Sequence, residues 1–255
     1  MFGEASVALI LVFPHHHSYH THLLPSLSLS FAVILPAAGS GSRVGGETPK
    51  QYLPLLGKPV LWHSIRAFSR LEGCVEVVVA VNPAWQAVAE ECGAGIANLT
   101  YVAGGDQRQD SIANALQGLR TVPDLILVHD AARPCVSPGL IQRVAAAAAA
   151  HGAAIPVLPI PETVKRVDSR GAIVATIPRG ELRTAQTPQG FRRQLLLSAY
   201  SHAKQQGIVG TDDSLLVEML GHQVQTVDGE LTNLKITYAQ DVKKAEGILA
   251  EGAFG

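Results

Sequence analysis

An α/β fold with a doubly wound, mostly parallel sheet is predicted by two features of the 255-residue sequence. Short apolar runs rich in valine, isoleucine and leucine alternate with amphipathic segments of helical period. The first apolar run, which begins at Phe31, breaks into a glycine-rich loop. Sheets of this kind bind ligands beyond the carboxyl ends of their strands, so the loops that follow strands are the candidate functional segments.

The remaining elements follow the same alternation. Further strands are predicted at 75–81, 99–102, 125–129 and 153–160, and helices at 60–71, 84–92, 111–119 and 140–151. We expect Asp110 to cap the third helix and Pro83 to occupy the first turn of the second. At this length and 47% hydrophobic content, residues 31–255 can form a single domain with a full core.

Composition and charge exclude several classes of function. A net charge of −1 and a pI near 6.8 argue against a general nucleic-acid binder, so a small-molecule substrate is favoured. Cys74, Cys92 and Cys135 form no C-x-x-C pair, which indicates neither a disulfide framework nor a zinc site. We therefore expect a cytoplasmic protein, or one of the plastid stroma if the source is a plant or an alga.

Residues 1–30 differ from the rest of the chain. They contain no lysine or arginine, one acidic residue, five histidines and a short apolar run at 7–13. This pattern fits neither a signal peptide nor a transit peptide, and the run is too short to cross a bilayer. We interpret the segment as a disordered tail or an over-extended start of translation, and expect no membrane association.

The glycine-rich loop does not match two common phosphate-binding spacings. A dinucleotide-binding G-x-G-x-x-G would need glycine at Val44, and no acidic residue follows at the distance that holds a ribose. A P-loop G-x-x-x-x-G-K-[ST] would need lysine at Glu47, whose carboxylate would repel a phosphate. A nicotinamide-dependent oxidoreductase is therefore a weak alternative.

What remains is Pro-Ala-Ala-Gly-x-Gly-x-Arg followed by Pro-Lys, which includes Gly41, Arg43 and Lys50. Glycine tolerates the backbone angles that let N–H groups face anionic oxygens, and the two cations supply full charges. The pattern is similar to the signature loop of nucleotidyltransferases that activate sugars and polyol phosphates. A plain turn is the structural alternative for this segment alone.

Two more polar segments follow predicted strands. In the first, residues 104–111, paired glycines permit close approach to a base or ribose, which Asp106 and Ser111 can recognise by hydrogen bonding. In the second, residues 129–134, Asp130 can touch a metal-bound phosphate or a ribose hydroxyl, and Arg133 can grip a phosphate through two nitrogens. A lone histidine at a strand end, such as His129, is more often a hydrogen-bonded structural residue than a catalyst.

Residues 163–187 alternate branched apolar and charged side chains about a turn at 168–171, which predicts a β-hairpin. A hairpin with exposed valine and isoleucine is marginal alone and needs a partner surface. A hairpin folded onto its own domain is the alternative to contact with a second chain.

Taken in chain order, the motifs resemble the 2-C-methyl-D-erythritol 4-phosphate cytidylyltransferase family from about residue 31 to residue 249. The motifs are Pro36-Ala37-Ala38-Gly39, Pro49-Lys50-Gln51-Tyr52, Gly104-Gly105-Asp106 with Arg108 and Ser111, His129-Asp130-Ala131-Ala132-Arg133-Pro134, Thr187-Pro188-Gln189, Thr211-Asp212-Asp213 and Asn233-Leu234-Lys235-Ile236-Thr237. The resemblance implies a nucleotide-diphospho-sugar transferase-like fold with a protruding hairpin arm, about 160–187, that makes a homodimer. It also implies transfer of a cytidylyl group from CTP to methylerythritol 4-phosphate, with release of pyrophosphate and with Mg²⁺ bound to the triphosphate.

The resemblance also implies a role for each matched residue. The cations that stabilise the transition state would be Arg43, Lys50 and Lys235. The residues that line CTP would be Pro36, Ala37, Ala38, Gly39, Gly41, Gly104, Asp106 and Ser111. The residues that face the polyol phosphate would be Asp130, Ala131, Arg133, Thr163, Arg179, Thr187 and Thr211, with Arg179 serving the neighbouring subunit and Asp130 near the metal.

Two alternatives stay open at this stage. A ribitol 5-phosphate cytidylyltransferase would share the loop, the chemistry and the arm, because the choice of polyol depends on few contacts. A catalytically silent nucleotide-binding module would share the fold, although retention of all three cations speaks against it.

Overall fold

The computed structural model describes residues 29–39 and 48–252. The strands in these ranges are β1 (Phe31–Ala37), β2 (Pro54–Leu55), β3 (Lys58–Pro59), β4 (Cys74–Val81), β5 (Leu99–Ala103), β6 (Leu125–Val128), β7 (Ala153–Pro159), β8 (Val164–Val167), β9 (Ile173–Ile177), β10 (Arg183–Ala185), β11 (Gln189–Arg192) and β12 (Gln225–Asp228). The helices are α1 (Val60–Ser69), α2 (Gln86–Cys92), α3 (Arg108–Gln117), α4 (Pro138–His151), α5 (Arg193–Gln206), α6 (Asp213–Glu218) and α7 (Ala239–Ala250). None of these helices is long and apolar enough to span a bilayer.

The main sheet has eight strands and is mostly parallel, which confirms the predicted fold class. Its order is β10-β7-β11-β6-β1-β4-β5, and β12 pairs with β7 outside this path. Strands β6, β1, β4 and β5 run parallel, whereas β11 lies antiparallel between β6 and β7. The carboxyl ends of β1, β4, β5 and β6 therefore meet at one edge.

Helices cover both faces of the sheet, which explains why the central strands are apolar throughout. In β1, Val33 and Leu35 pack in a core layer with residues of α1, α2 and α4. Ile34, on the opposite face, packs in a second layer with residues of α3, α5 and α6. A third, smaller cluster joins α7 to β2 and to Ile236, so α7 supports the segment that carries Lys235.

Two predicted helix starts are wrong in detail. Helix α3 begins at Arg108 and its N-cap is Gln107, so Asp110 lies one turn inside, where its carboxylate accepts from the Gln107 backbone N–H at 3.1 Å. The Gln107 side chain in turn accepts from the Asp110 backbone N–H, which completes a reciprocal capping box. The sequence prediction missed this cap because glutamine is an uncommon N-cap residue. Pro83 begins a short 3₁₀ turn capped by Asn82, and α2 starts only at Gln86.

The segment predicted as one hairpin divides into two parts. Strands β8 and β9 pair antiparallel as a separate two-stranded sheet, with Val167, Ile173 and Val174 exposed. The last part, β10, pairs with β7 and belongs to the main sheet. The predicted arm of about 160–187 is therefore too long at its carboxyl end, because β10 finds hydrogen-bond partners along the edge of β7.

A buried carboxylate joins the sheet to the loop after α3. Glu76 in β4 is 2% exposed. It accepts hydrogen bonds from the hydroxyls of Thr100 and Thr121, at 2.7 and 2.8 Å, and from the backbone N–H groups of Arg120 and Thr121. Burial alone would raise the pKa of Glu76, but these donors outweigh it and lower the pKa below its usual value.

We expect Glu76→Gln to lower the free energy of unfolding by about 2 kcal/mol at neutral pH, because the new NH₂ group faces donors. The pKa of the Glu76 carboxyl is lower in the folded protein than in the unfolded chain. Its contribution to the free energy of unfolding is therefore complete above the unfolded-state pKa and is lost as the pH falls through the folded-state pKa. Urea unfolding at several pH values should show the difference between wild type and variant narrowing in acid. The exposed substitution Glu218→Gln is the control, and a pH-independent difference would contradict the prediction.

Candidate active site

A cavity of about 540 Å³ lies at the carboxyl ends of β1, β4, β5 and β6. Its wall is formed by Pro36, Ala38, Gly39, Lys50, Gln51, Asn82, Gly105, Asp106, Gln107, Arg108, Ser111, Asp130, Ala131, Ala132 and Lys235. The lining is polar and has cations on the β1 and β6 sides. This is the edge at which a doubly wound sheet places its ligand.

Asp130 is the centre of a cluster of charges in this wall. Its carboxylate lies 2.7 Å from Lys235 Nζ, 3.2 Å from Arg108 Nε and 3.8 Å from Arg133 Nε. Burial would raise the pKa of Asp130, but the positive charges of Arg108, Lys235 and Arg133 outweigh it and hold the pKa far below its usual range. Asp130 is therefore ionised at neutral pH, and it gathers three cations at one side of the cavity.

Arg108 is fixed by a second buried acid. Its Nη2 lies 2.8 Å from Asp213 Oδ2, and Asp213 accepts a hydrogen bond from the Tyr200 hydroxyl at 2.5 Å. Burial acts to lower the pKa of Arg108, but Asp213 and Asp130 raise it. The guanidinium is thus clamped between two carboxylates at the wall of the cavity. Arg108 and Asp213 were not assigned roles from the sequence, although both lie inside the matched motifs.

Lys235 reaches the cluster from a segment without regular secondary structure. Arg133 Nη1 donates to the Asn233 carbonyl at 2.8 Å, and the Asn233 amide donates to the Thr187 carbonyl at 2.8 Å. The Ile236 N–H donates to the Ala132 carbonyl at 2.9 Å. The buried Arg133 therefore ties the Lys235 segment to the loop after β6, and does not itself line the cavity.

His129 is a structural residue, as the sequence indicates. It is fully buried, and burial lowers its pKa to about 4, so the ring is neutral. Its Nε2 donates to the Arg133 carbonyl at 3.0 Å, and its Nδ1 accepts from the Thr187 hydroxyl at 3.1 Å. That hydroxyl also accepts from the Asp130 N–H at 3.0 Å, so Thr187 lies behind Asp130 and orients it.

The opposite wall brings two backbone segments close together. A Cβ atom on Gly104 would lie 2.1 Å from the Ala38 Cβ, so only glycine allows this approach. The Ser111 hydroxyl accepts from the Gly105 N–H at 3.0 Å and donates to the Gln107 carbonyl at 3.1 Å. Ser111 therefore shapes the 104–107 loop, and Asp106 is exposed at its tip.

Most predicted site residues that the structure describes converge on this cavity. Those in its wall are Pro36, Ala38, Gly39, Lys50, Asp106, Ser111, Asp130, Ala131 and Lys235. Ala37, Gly104, Arg133 and Thr187 lie directly behind the wall. Thr211 lines a small adjoining pocket with Arg108 and Asp213, and Thr163 and Arg179 are exposed next to β8 and β9. Gly41, Arg43 and residues 1–28 lie outside the described residues.

The described residues contain no group of three histidine, cysteine, aspartate or glutamate side chains that could hold a metal ion. Asp130 is surrounded by cations, and Asp106 is the other carboxylate in the wall. Mg²⁺ commonly binds through one or two carboxylates together with substrate phosphates, so these residues fit a metal that arrives with a nucleotide.

The mostly parallel sheet, the polar cavity at its edge and the cluster of cations are the features expected of a nucleotidyltransferase. The family model described as 2-C-methyl-D-erythritol 4-phosphate cytidylyltransferase matches residues 31–251. The chain belongs to this family, which confirms the predicted family and the predicted activity, cytidylyl transfer from CTP to 2-C-methyl-D-erythritol 4-phosphate.

Individual relatives agree with the family match. The chain is 43% identical over 231 residues to the 2-C-methyl-D-erythritol 4-phosphate cytidylyltransferase of Frankia casuarinae, covering 90% of this chain and 85% of the relative. It is 42% identical over 232 residues to that of Ralstonia nicotianae, covering 86% and 92%. The crystal structure of the Thermus thermophilus enzyme superposes with a TM-score of 0.71 at 38% identity, covering 86% of this chain and 98% of that one.

Proposed function

We propose that CTP and methylerythritol 4-phosphate bind side by side in the 540 Å³ cavity, with their reacting groups between Lys50 and the Asp130 cluster. The observation that carries this assignment is the presence of Lys50, Arg108 and Lys235 around one polar cavity. In this proposed arrangement, residues 36–39 and the 104–107 loop bind the nucleotide. The Asp130 side receives the polyol phosphate.

The reaction needs alignment and charge neutralisation. The nucleophile is a phosphate monoester oxygen, whose second pKa near 6 leaves it ionised at neutral pH. It attacks the α-phosphorus of CTP, a new P–O bond forms, the bond to the β-phosphate oxygen breaks, and pyrophosphate leaves. No proton is transferred, which is compatible with a buried, neutral His129.

The cations act on the charge that develops at the α-phosphate. Lys50 and Lys235 contact the phosphoryl oxygens, and Arg43 is the third cation of this set. Arg108 and Arg133 hold the Asp130 side in place. Mg²⁺, when bound to the triphosphate, neutralises its charge and orients it. Asp106 and Asp130 are the carboxylates available to that metal, directly or through water.

The test of this function is pyrophosphate release from CTP in the presence of Mg²⁺. Methylerythritol 4-phosphate should support turnover, and ribitol 5-phosphate should not at equal concentration. Replacing CTP with UTP or ATP should reduce kcat/KM, because the 104–107 loop recognises the base. Binding of CTP without release with either polyol phosphate would contradict the assignment.

We further propose that residues 31–255 form one catalytic domain and that β8 and β9 form the arm of a cytoplasmic homodimer. Val167, Ile173 and Val174 leave an apolar surface uncovered on this two-stranded sheet. Such a surface is stabilised when a partner buries it. Arg179 and Thr163, at the base of the arm, then approach the partner's cavity. The three cysteines are free, as a reducing compartment requires.

Mixing two inactive variants tests whether Arg179 serves the neighbouring subunit. Lys50→Ala and Arg179→Ala are each expected to be impaired as homodimers. In a mixed dimer, one site would combine an intact Lys50 with an intact Arg179, so refolding the two variants together should restore about a quarter of wild-type activity. If Arg179 acts within its own subunit, no mixed site is complete and activity stays at the level of the separate variants.

The arm itself is tested by the paired change Ile173→Asp and Val174→Asp, which should convert the dimer to a monomer in sedimentation velocity. A charge on this apolar surface would have to be buried on association. Val122→Asp, at an even more exposed valine outside the arm, is the control. Retention of the dimer by the arm variant would contradict its role in the interface.

A further inference from the structure

Gln51 has no role in the scheme above, although it lies in the cavity wall directly after Lys50. Its side chain is 4% exposed. Its Nε2 donates to the Ala37 carbonyl at 2.7 Å and to the Gly39 carbonyl at 2.8 Å. Both hydrogens of the amide are thus used on the strand end that begins the glycine-rich loop. An amide oxygen in the same place would face two carbonyl oxygens, so the orientation of the amide is fixed.

The main chain that carries Gln51 is itself anchored. Residues 50–52 form a single 3₁₀ turn, closed by the Tyr52 N–H donating to the Pro49 carbonyl at 2.8 Å. The buried Tyr52 ring stacks on Trp85, with ring centroids 4.8 Å apart and planes 9° from parallel. The turn that presents Lys50 is therefore held against the segment after β4, and Gln51 extends from a fixed position.

The two hydrogen bonds also determine the direction of a peptide group. The C=O and N–H of one trans peptide unit point in opposite directions. Because the Ala37 carbonyl points to Gln51, the N–H of Ala38 points away from it, and neither the Ala37 nor the Gly39 carbonyl is left to face a phosphate. A carbonyl oxygen turned toward the triphosphate would repel it, so this arrangement favours an anionic ligand.

We propose that Gln51 is a positioning residue for the nucleotide. It fixes the backbone of residues 37–39 in the orientation that accepts phosphate, and it sets the separation between that backbone and Lys50. This inference rests on the proposed function, because it assumes that CTP binds along residues 36–39. The side chain contributes to CTP binding through the loop and does not contact the polyol phosphate.

Gln51→Met tests the role, since methionine keeps the length of the side chain and removes both donors. We expect the Kd for CTP with Mg²⁺, measured by calorimetry, to rise about tenfold through the loss of two neutral hydrogen bonds. The KM for CTP should rise in parallel, and the KM for methylerythritol 4-phosphate should stay within about twofold. A purely structural role would instead lower Tm and weaken both substrates together, and that outcome would overturn the proposal.

Gln51→Glu adds a pH-dependent measurement whose result a change in packing would not produce. At neutral pH the carboxylate cannot donate to the two carbonyls and adds negative charge beside a triphosphate, so CTP binding should be weaker than in Gln51→Met. Lowering the pH protonates the carboxyl and restores one donor, so the affinity relative to wild type should recover in acid. A ratio that does not change with pH would count against the proposal.

Two further measurements separate this inference from the proposed function. Gln205→Met, an exposed glutamine at the end of α5, is the matched control and should leave CTP affinity unchanged. If the wild type fails to bind CTP, the proposed function fails. If the wild type binds CTP and Gln51→Met binds it within twofold of wild type, only the positioning role is overturned.

Discussion

Replacing Lys50 with alanine is expected to lower kcat for cytidylyl transfer by about a hundredfold or more, while the protein stays folded. Lys50 lines the cavity together with residues 36–39 and the Asp130 cluster. A cation that contacts the α-phosphate in the transition state is worth about 3 kcal/mol or more in kcat. The side chain belongs to a short turn whose shape is set by Tyr52 and Gln51, so its removal should not disturb the core.

Steady-state kinetics and thermal unfolding of the same preparation measure the two parts of this prediction. Lys58→Ala is the matched control, because Lys58 is exposed in β3 and outside the cavity. Lys50→Arg should recover part of the lost rate, since the charge is kept but its geometry differs. A near-wild-type kcat in Lys50→Ala would show that Lys50 takes no part in the reaction. Among the described residues, Lys235 would then be the cation that acts on the α-phosphate.

Asp130→Asn is expected to reduce both stability and activity. Three cations lie within 3.8 Å of the carboxylate; the Asp130 and Arg133 side chains are buried, and the Arg108 side chain is 33% exposed. Removing one partner of a buried ion pair commonly costs about 3 kcal/mol or more, because the remaining charge is left uncompensated. With the centre of the cluster neutral, Lys235 and Arg108 lose the contact that fixes them, and we expect kcat to fall by about a hundredfold.

Chemical denaturation and initial-rate assays of Asp130→Asn test this expectation, with Asp228→Asn as an exposed control of the same charge change. Bound CTP and Mg²⁺ should stabilise wild type more than the variant, because the variant binds them less well. An Asp130→Asn protein that unfolds like wild type but is inactive would assign Asp130 to the chemistry alone. Full activity of Asp130→Asn would show that the cluster of cations around Asp130 is not part of the active site.

The sequence predicted the framework of the molecule because the pattern of buried strands is local. Val77 to Val81 are all buried between two layers of helices, and a continuous apolar run is the signature of that environment. The Asp130 cluster is different. It joins residues from the loop after β6, from α3 and from the segment before α7, and only the folded chain brings these charges together.

Other details were not predicted from the sequence, each for a physical reason. Gln107 caps α3, although glutamine is an uncommon N-cap, because Asp110 completes the reciprocal pair one turn later. That Thr187 faces the polyol phosphate stays a prediction, and the hydrogen bonds of its hydroxyl to His129 and to the Asp130 backbone could not be read from the sequence. Arg108 and Asp213 had no assigned role, because the ion pairs of Arg108 join α3 to α6 and to the loop after β6, and these segments meet only in the folded chain.

The position of Lys235 along the chain has a consequence for biosynthesis. Every other cavity residue described here precedes it, and the sheet from β1 to β11 is complete before it in sequence. Because domains fold progressively during synthesis, residues 36–39 and the 104–107 loop can come together on the ribosome before Lys235 joins Asp130. On the function proposed above, we expect a chain that ends before Lys235 to bind CTP without transferring its cytidylyl group.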